Sequence, residues 1–254
     1  MNQINSRDLF RNLITLYGRK PVLEVMSDPK IEVFRLHLAD SNRDAAIIGE
    51  IRKLAAERGV EIVMHSKQEL SRISKNGRQD QGVAVDVNTG RYRSISELPG
   101  QPLELIALDR VTNPQNLGMI IRSIAASPMH GLLLPRKGSA KIDPLVFKAS
   151  AGTLFKARIY HCESLSEGLA HLKQQGCEII GMDGAASTSL NALPASGDRT
   201  RVFILGNETD GLGADTLAAC DLTAAIPLEN QVESLNVATV ATLIAFRSLF
   251  TLTD

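Results

Sequence analysis

The chain has 254 residues, with 28 basic and 28 acidic side chains, so its formal net charge at pH 7 is zero and bulk charge points to no polyanionic partner. That length fits one large domain or two modest ones, and with 44% apolar residues either version can bury a core. Apolar runs fall far short of the roughly 18 residues that a helical membrane span needs, so no membrane partner is expected. The three cysteines, Cys162, Cys177 and Cys220, form no C-x-x-C pair and have no histidine at ligand spacing. A disulfide framework and a structural metal are therefore not expected.

At the amino terminus, MNQINSRDLFRNL mixes charge with apolar residues and shows no hydrophobic segment followed by a small-residue cleavage site. The expected location is cytoplasmic. Apolar runs at 31–38, 60–66 and 82–87 read as strands, with a helix over 45–59 between the first two, so residues 1–90 read as a small α/β domain. Between about 88 and 102 the chain collects Gly90, Pro99, Gly100 and Pro102, a concentration of turn formers that places a linker at 91–102. Short apolar runs follow at 103–109, 131–135, 177–183, 201–206 and 222–228. Helical patterns separate several of them, at 116–127, 164–175 and 234–250. Such alternation predicts a largely parallel sheet covered by helices on both faces, over residues 103–254.

Charge is segregated within this second part. Arg136, Lys137, Lys141, Lys148, Lys156 and Arg158 face only Asp143 in sequence, whereas Val202–Phe246 holds no Lys or Arg but carries Glu208, Asp210, Asp215, Asp221, Glu229 and Glu233. A site that handles an anion on one side and a cation on the other needs this division; two solvated faces would show it too. Lys67, Arg72, Lys75 and Arg78 form another basic group in the first part.

A parallel α/β sheet is the usual home of nucleotides, yet the standard fingerprints are missing. GNETDGLG has the wrong glycine spacing for G-x-G-x-x-G, and there is no P-loop, G-x-S-x-G or H-E-x-x-H. Dehydrogenase, P-loop, serine hydrolase and zincin readings lose their support. Three other segments stand out. In LDRVTNPQNLGMIIRSIAA, Asn113, Pro114 and Asn116 form a turn that starts a helix, and Arg122 is the only formally charged residue between Val111 and Pro135. If buried, its donors need partners; the plainer alternative is an arginine reaching the surface. In FILGNETDGLG a strand runs into a Gly-rich turn beside Glu208, where backbone can approach a ligand closely. In IPLENQVESLNVATVATLIAF, Ser234 reads as an N-cap with Leu235 and Asn236 in the first turn, ahead of a helix apolar enough to be buried on nearly every side.

In this order the segments resemble the SpoU/TrmH family of RNA ribose 2′-O-methyltransferases, of the SPOUT class. The family patterns N-P-x-N-x-G-x-x-x-R, G-x-E-x-x-G and I-P-x(6)-S-L-N-V are matched by Asn113, Pro114, Asn116, Gly118 and Arg122; by Gly206, Glu208 and Gly211; and by Ile226, Pro227, Ser234, Leu235, Asn236 and Val237. KASAGTLFKARI is similar to the family's S-x-G segment at Ser150 and Gly152, and residues 16–87 look like the substrate-binding domain that many members carry. One departure is Ala238, where relatives often have a second serine.

The resemblance implies an α/β fold with a deep trefoil knot in its catalytic domain. It implies S-adenosylmethionine as cofactor, held by backbone around Gly206, Ile226 and Leu235, and no metal. It implies a homodimer in which Arg122 reaches the partner's site, with Asn116, Glu208, Ser234 and Asn236 orienting the arginine and the ribose. The activity implied is methyl transfer to a ribose 2′-hydroxyl of RNA, ribosomal RNA before transfer RNA. The alternative from another class is a non-catalytic RNA-binding module on the same fold; a nicotinamide-dependent oxidoreductase is weakened by the absent glycine fingerprint.

Overall fold

A computed structural model of the chain describes residues 13–42, 45–88, 92–100, 102–194 and 198–250. The amino-terminal stretch read against secretion lies, through residue 12, outside the described residues. The chain divides into two compact units, Met1–Gly90 with Ile142–Lys148, and Arg91–Lys141 with Ala149–Asp254.

The first unit runs β1 (Leu13–Tyr17), α1 (Arg19–Ser27), β2 (Val33–Ala39), α2 (Ala46–Glu57), β3 (Glu61–His65), α3 (Lys67–Ser74) and β4 (Val83–Asn88). Its sheet has the order β1-β4-β2-β3; β4 is antiparallel to both neighbours, and β2 and β3 are parallel. Val22, Val25 and Met26 of α1 and Ile48, Ile51 and Ala55 of α2 are buried. Arg58 closes the end of α2 by donating to the carbonyls of Val25, Met26, Asp28 and Ile31. The strands expected at 31–38, 60–66 and 82–87 are present, as is the helix expected at 45–59. Pro21 sits in the first turn of α1, where its missing N–H breaks no helical bond.

A row of polar side chains crosses this sheet. Thr15 donates to Asp86 Oδ1 at 2.6 Å, His37 Nε2 meets Asp86 Oδ2 at 3.0 Å, and His37 Nδ1 meets His65 Nε2 at 2.9 Å. Burial pushes the Asp86 carboxyl up, but hydrogen bonds from His37 and Thr15, with the charges of His37 and Arg35, outweigh it and hold the group below the usual carboxylate range.

The second unit carries β5 (Tyr92–Ser94), β6 (Glu104–Leu108), α4 (Pro114–Ala125) and β7 (Gly131–Pro135). After α5 (Pro144–Ala149), which falls mostly in the first unit, come β8 (Ile159–Cys162), α6 (Leu165–Gln174), β9 (Glu178–Met182), β10 (Arg201–Leu205), α7 (Ala214–Ala219), β11 (Leu222–Ala224) and α8 (Val237–Phe250). Seven strands form one sheet in the order β11-β9-β10-β6-β7-β8-β5, and every pairing is parallel. Every residue of β7 and β10 is buried, the pattern of central parallel strands covered on both faces. At the amino-terminal edge of the sheet, Arg247 of α8 pairs with Glu104 at 2.6 Å and donates to the carbonyls of Leu193 and Pro194. Arg201 pairs with Glu178 at 2.7 Å and also donates to Pro194. The last helix and the chain leading into β10 are thereby tied to the same strands.

Two sequence expectations are corrected. Residues 91–102 are not simply a linker, because Tyr92–Ser94 pairs with Ile159–His161 as an edge strand, followed by a 3₁₀ turn at Ile95–Glu97 that Ser94 and Glu97 cap reciprocally. Three residues are too few to show strand alternation beside that many turn formers. Ser234 does not cap the last helix. The helix starts at Val237, and Asn236 is its cap, accepting the Ala238 N–H at 2.9 Å through its side chain and bonding Thr239 and Val240 through its carbonyl. Ser and Asn are both good N-caps, and two residues apart the sequence does not rank them.

Candidate active site

The carboxyl ends of β9, β10 and β11 open onto a cavity of about 410 Å³, within the range of small-molecule sites. Four pieces of chain wall it: Met182–Gly184 after β9, the Gly206–Gly211 turn after β10, Ala224–Leu228 after β11, and Glu233–Val237 ahead of α8. The turn after β10 is closed by reciprocal main-chain bonds between Asn207 and Gly211, 3.0 and 2.9 Å, with Gly211 at φ +65°. Gly206 has no room for a side chain: a Cβ there would stand 2.3 Å from the Gly211 carbonyl carbon and 2.5 Å from the Leu212 nitrogen. Only glycine allows the two chain segments to touch at this point.

Ile226, Leu228 and Leu235 make no main-chain hydrogen bond among the described residues, so their N–H and C=O groups are available to a bound molecule. The charged residues lining the cavity are Asp183, Glu208 and Glu233, with no lysine or arginine among them. The wall therefore suits a ligand that is largely neutral and apolar but carries a positive centre, and the cation-free stretch from Val202 to Phe246 supplies most of it.

At the cavity's edge a chain of amides has one consistent direction. The Ala238 N–H can only donate, so Asn236 accepts with its oxygen; the Asn236 amide then donates to Asn116 Oδ1 at 3.1 Å, and the Asn116 amide donates to the Glu208 carboxylate. Asn116 is buried in the first turn of α4, which Asn113 caps by accepting the Gln115 N–H at 2.8 Å, with Pro114 leading. The main chain of Ala238 anchors this network, and any residue but proline at that position would provide the same N–H.

The structure thus brings Gly206, Glu208, Ile226, Ser234 and Leu235 to one cavity and links Asn116 and Asn236 to it through Glu208. Arg122 is not among them. It lies six residues beyond Asn116, about 120° around the helix, on the exposed stripe with Gln115 and Met119, and its side chain makes no hydrogen bond or ion pair among the described residues. Ser150 and Gly152 form a turn outside the cavity wall: Ser150 is buried, its carbonyl accepts from the Thr153 N–H and hydroxyl, and Gly152 has φ +75°. No cluster of His, Cys, Asp and Glu able to hold a metal occurs among the described residues, and no described helix is long and apolar enough to cross a membrane.

The model of the SpoU rRNA methylase family matches residues 104–246, and a model for RNA 2′-O ribose methyltransferase substrate binding matches residues 15–93. The chain belongs to the SpoU rRNA methylase family. Among its curated relatives is an uncharacterized tRNA/rRNA methyltransferase of Mycolicibacterium smegmatis, 31% identical over 230 residues, which are 88% of this chain and 72% of that protein. One from Mycobacterium leprae is 32% identical over 227 residues, 87% and 72% of the two chains. The fold is shared with the SpoU methyltransferase AviRb of Streptomyces viridochromogenes, at TM-score 0.73, 21% identity and coverage of 96% and 91%. It is also shared with an AdoMet-bound rRNA methyltransferase of Sinorhizobium meliloti, at TM-score 0.74, 20% identity and coverage of 99% and 92%.

Two residues that shape this SpoU site were not singled out from the sequence. Asp109, buried at the end of β6, accepts the Gly213 N–H at 2.7 Å. Arg110, held in the left-handed region at φ +58°, donates to the Gly211 carbonyl at 3.1 Å, and its own carbonyl accepts from Asn207 at 3.0 Å. Together they bind the Gly-rich turn to the neighbouring strand. The only signal was a charged pair directly after an apolar strand, and such pairs are common.

Proposed function

We propose that this chain transfers a methyl group from S-adenosylmethionine to a ribose 2′-hydroxyl of RNA, with ribosomal RNA as its expected substrate class, and that it does so in the cytoplasm as a homodimer. The observation that carries the reading is the acidic, cation-free cavity walled by Gly206, Ile226 and Leu235, with the Glu208–Asn116–Asn236 chain at its edge. Its neutral main-chain groups suit adenine and ribose, and its carboxylates suit a sulfonium. The relatives' names span both tRNA and rRNA, and the deep knot implied by the family resemblance belongs to this proposal; the insertion of β10 between β6 and β9 is in keeping with it.

When bound, S-adenosylmethionine supplies a methyl group activated by the positive sulfur. The protein's task is to align the hydroxyl and to stabilise the oxygen as its proton leaves. Glu208, Asn116 and Asn236 fix one another's orientation and present a rigid polar edge, and Ser234 on the cavity wall offers a hydroxyl to the ribose. Arg122 offers a planar fork of hydrogen-bond donors and no acceptor. Its role is to grip the phosphate beside the target ribose and stabilise the forming alkoxide.

A second copy completes that site. Arg122 lies on the exposed face of α4 with Met119, and the packed α8 exposes Leu243, Leu249 and Phe250. Ser123 and Thr242 join the two helices at 2.7 Å. A two-fold contact through this face covers the apolar groups and delivers Arg122 to the partner's cavity.

Titration calorimetry with S-adenosylhomocysteine, without added metal, is the first test, followed by mapping of ribose methylation across total RNA from cells with and without the chain. Expected are stoichiometric binding and the loss of one or a few ribose methylations. Binding of NAD but of neither sulfur compound would refute the reading; donor binding with an unchanged methylation map would leave an RNA-binding module instead.

A further inference from the structure

The first unit carries two adjoining cavities of about 510 and 520 Å³ that share Lys67, Gly77 and Arg78, so they form one groove between α3, the amino end of α1 and the loop leading into β4. Arg72 lines one end, Arg19 and Asn42 the other. None of Arg19, Lys67, Arg72 and Arg78 forms an ion pair among the described residues. The acidic side chain in the lining is turned to other work: Asp80 is buried and accepts from the Ser74 hydroxyl at 2.8 Å and from the Gly82 N–H at 3.0 Å. Glu69 on α3 is engaged with the Ser66 cap.

The loop that carries Arg78 has a fixed shape. Lys75, Gln81 and Gly82 sit at φ +54°, +53° and +76°, and the Asn42 amide donates to the Gly82 carbonyl at 2.6 Å. Gly77 packs so closely on α3 that a Cβ would meet the Ser71 hydroxyl at 2.2 Å. Arg19 is held by neutral acceptors alone, Asn42 Oδ1 at 3.3 Å and the Gln81 carbonyl at 3.4 Å, and so keeps its full charge for a ligand. Four cations along one groove, none in an ion pair among the described residues and with Glu69 as a carboxylate near Arg72, suit a polyanion. No aromatic side chain lines the groove, so nothing there can stack on bases.

Resting on the methyltransferase reading, we propose that this groove, built from Arg19, Lys67, Arg72 and Arg78, is the site where the first unit grips the RNA sugar–phosphate backbone, independent of base sequence. Lys75, grouped with these cations in the sequence, does not line it. Target choice then falls to the shape of the RNA and to the methylation site itself.

The test uses the full chain and fluorescence anisotropy with labelled oligo(U), oligo(A) and a labelled RNA hairpin. The double variant Lys67→Ala/Arg78→Ala should bind each RNA about tenfold more weakly, and its slope of log affinity against log salt should fall by about 1.5 to 2. The charge-preserving pair Lys67→Arg/Arg78→Lys should retain most of the affinity, which separates lost charge from lost fold. Lys30→Ala, beyond the opposite end of α1, should change nothing. Wild-type affinity in the double variant would overturn the groove, and so would a loss confined to one base sequence. Displacement of RNA by poly-glutamate or inorganic phosphate at comparable charge concentration would also overturn it, assigning the groove to an acidic protein or a small anion. S-adenosylhomocysteine binding should be equal in all variants; its absence in wild type would instead count against the methyltransferase reading.

Discussion

The cavity in the second unit is walled by main chain: Gly206 against Gly211, and the unpaired amides of Ile226, Leu228 and Leu235, with carboxylates as the only charges. The groove in the first unit is lined by the ends of long cationic side chains carried on α1, α3 and a loop. A surface made of backbone gains selectivity from shape and changes little with salt, whereas one made of charged side chains gains affinity from counterion release and has little selectivity of its own. The contrast assigns recognition of the donor to backbone geometry and capture of the RNA to side-chain charge. Perturbing either unit should therefore produce a different kind of failure.

The largest effect is expected where neither unit's binding surface is touched. Arg122→Ala should lower the methylation rate by about a thousandfold or more, in the range of losing a transition-state stabiliser, while donor affinity and dimerisation stay nearly unchanged. Arg122→Lys should rescue little, because a point charge does not reproduce the planar multi-donor grip. Mixing Arg122→Ala chains with Gly206→Ala chains should restore part of the activity in heterodimers, which single-turnover assays on the mixed sample would detect. A wild-type rate in Arg122→Ala would reduce the residue to a surface charge.

Next comes the backbone wall. Gly206→Ala forces a methyl group into contacts of 2.3–2.5 Å with main chain, which cannot move aside as a flexible side chain would. Donor affinity should drop about a hundredfold, and the chain should lose roughly 2–3 kcal/mol in urea unfolding. Gly211→Ala meets open space and loses only the ease of φ +65°, about 1 kcal/mol. Equal effects at the two glycines would show that close approach at Gly206 is not what shapes the cavity.

These expectations also mark how far the sequence could be read. The Gly-rich turn at Gly206–Gly211 was legible as a place of close backbone approach after a strand, because such turns leave their trace in glycines, whereas its joining with Ile226, Ser234, Leu235 and Asn236 in one site was implied only by the resemblance of the segments to the SpoU/TrmH family. Five strands of the parallel sheet were legible because each is an apolar run, whereas the edge strand YRS at Tyr92–Ser94 and IYHC at Ile159–Cys162 mix polar residues into three or four positions and show no such run. What was not legible depends on contacts between distant segments. Asp109 bonds Gly213, 104 positions away, and Arg19 joins Lys67 and Arg78 in one groove. A local pattern also cannot choose between Ser234 and Asn236 as the cap of α8, since that choice is made when Asn236 is drawn toward Asn116.

A smaller effect is expected at Asp109, which shapes the wall from outside. Asp109→Asn keeps an acceptor but removes the charge that pairs with Arg110 at 3.3 Å, so the Gly213 and Gly211 anchors weaken together. Stability should fall by about 1–2 kcal/mol. KM for the donor should rise severalfold with kcat nearly constant, because the turn is loosened and the Arg122 and Asn116 groups are not. A fall in kcat at unchanged KM would place Asp109 in the chemistry instead.

The smallest effect concerns acid, and it separates the charge-held unit from the backbone-held one. Asp86 is held below the usual carboxylate range in the folded state, while in the unfolded chain it titrates near about 3.9. A depressed folded pKa gives stability that is fully present above the unfolded value and is lost as pH falls from there through the folded value. Amide-exchange protection of β2 and β4 should therefore weaken as pH drops below about 4, because protonated Asp86 no longer accepts from both Thr15 and His37 as a carboxylate. In Asp86→Asn the same strands should be less protected near neutrality and flatter in this acid window, since no carboxylate remains there to titrate. Protection of β9 and β10, which hold the cavity, should follow the same course in both proteins. Parallel loss in β2 and β4 of wild type and variant would show that the charge of Asp86 does not hold the first sheet, and that the polar row across it acts through neutral hydrogen bonds alone.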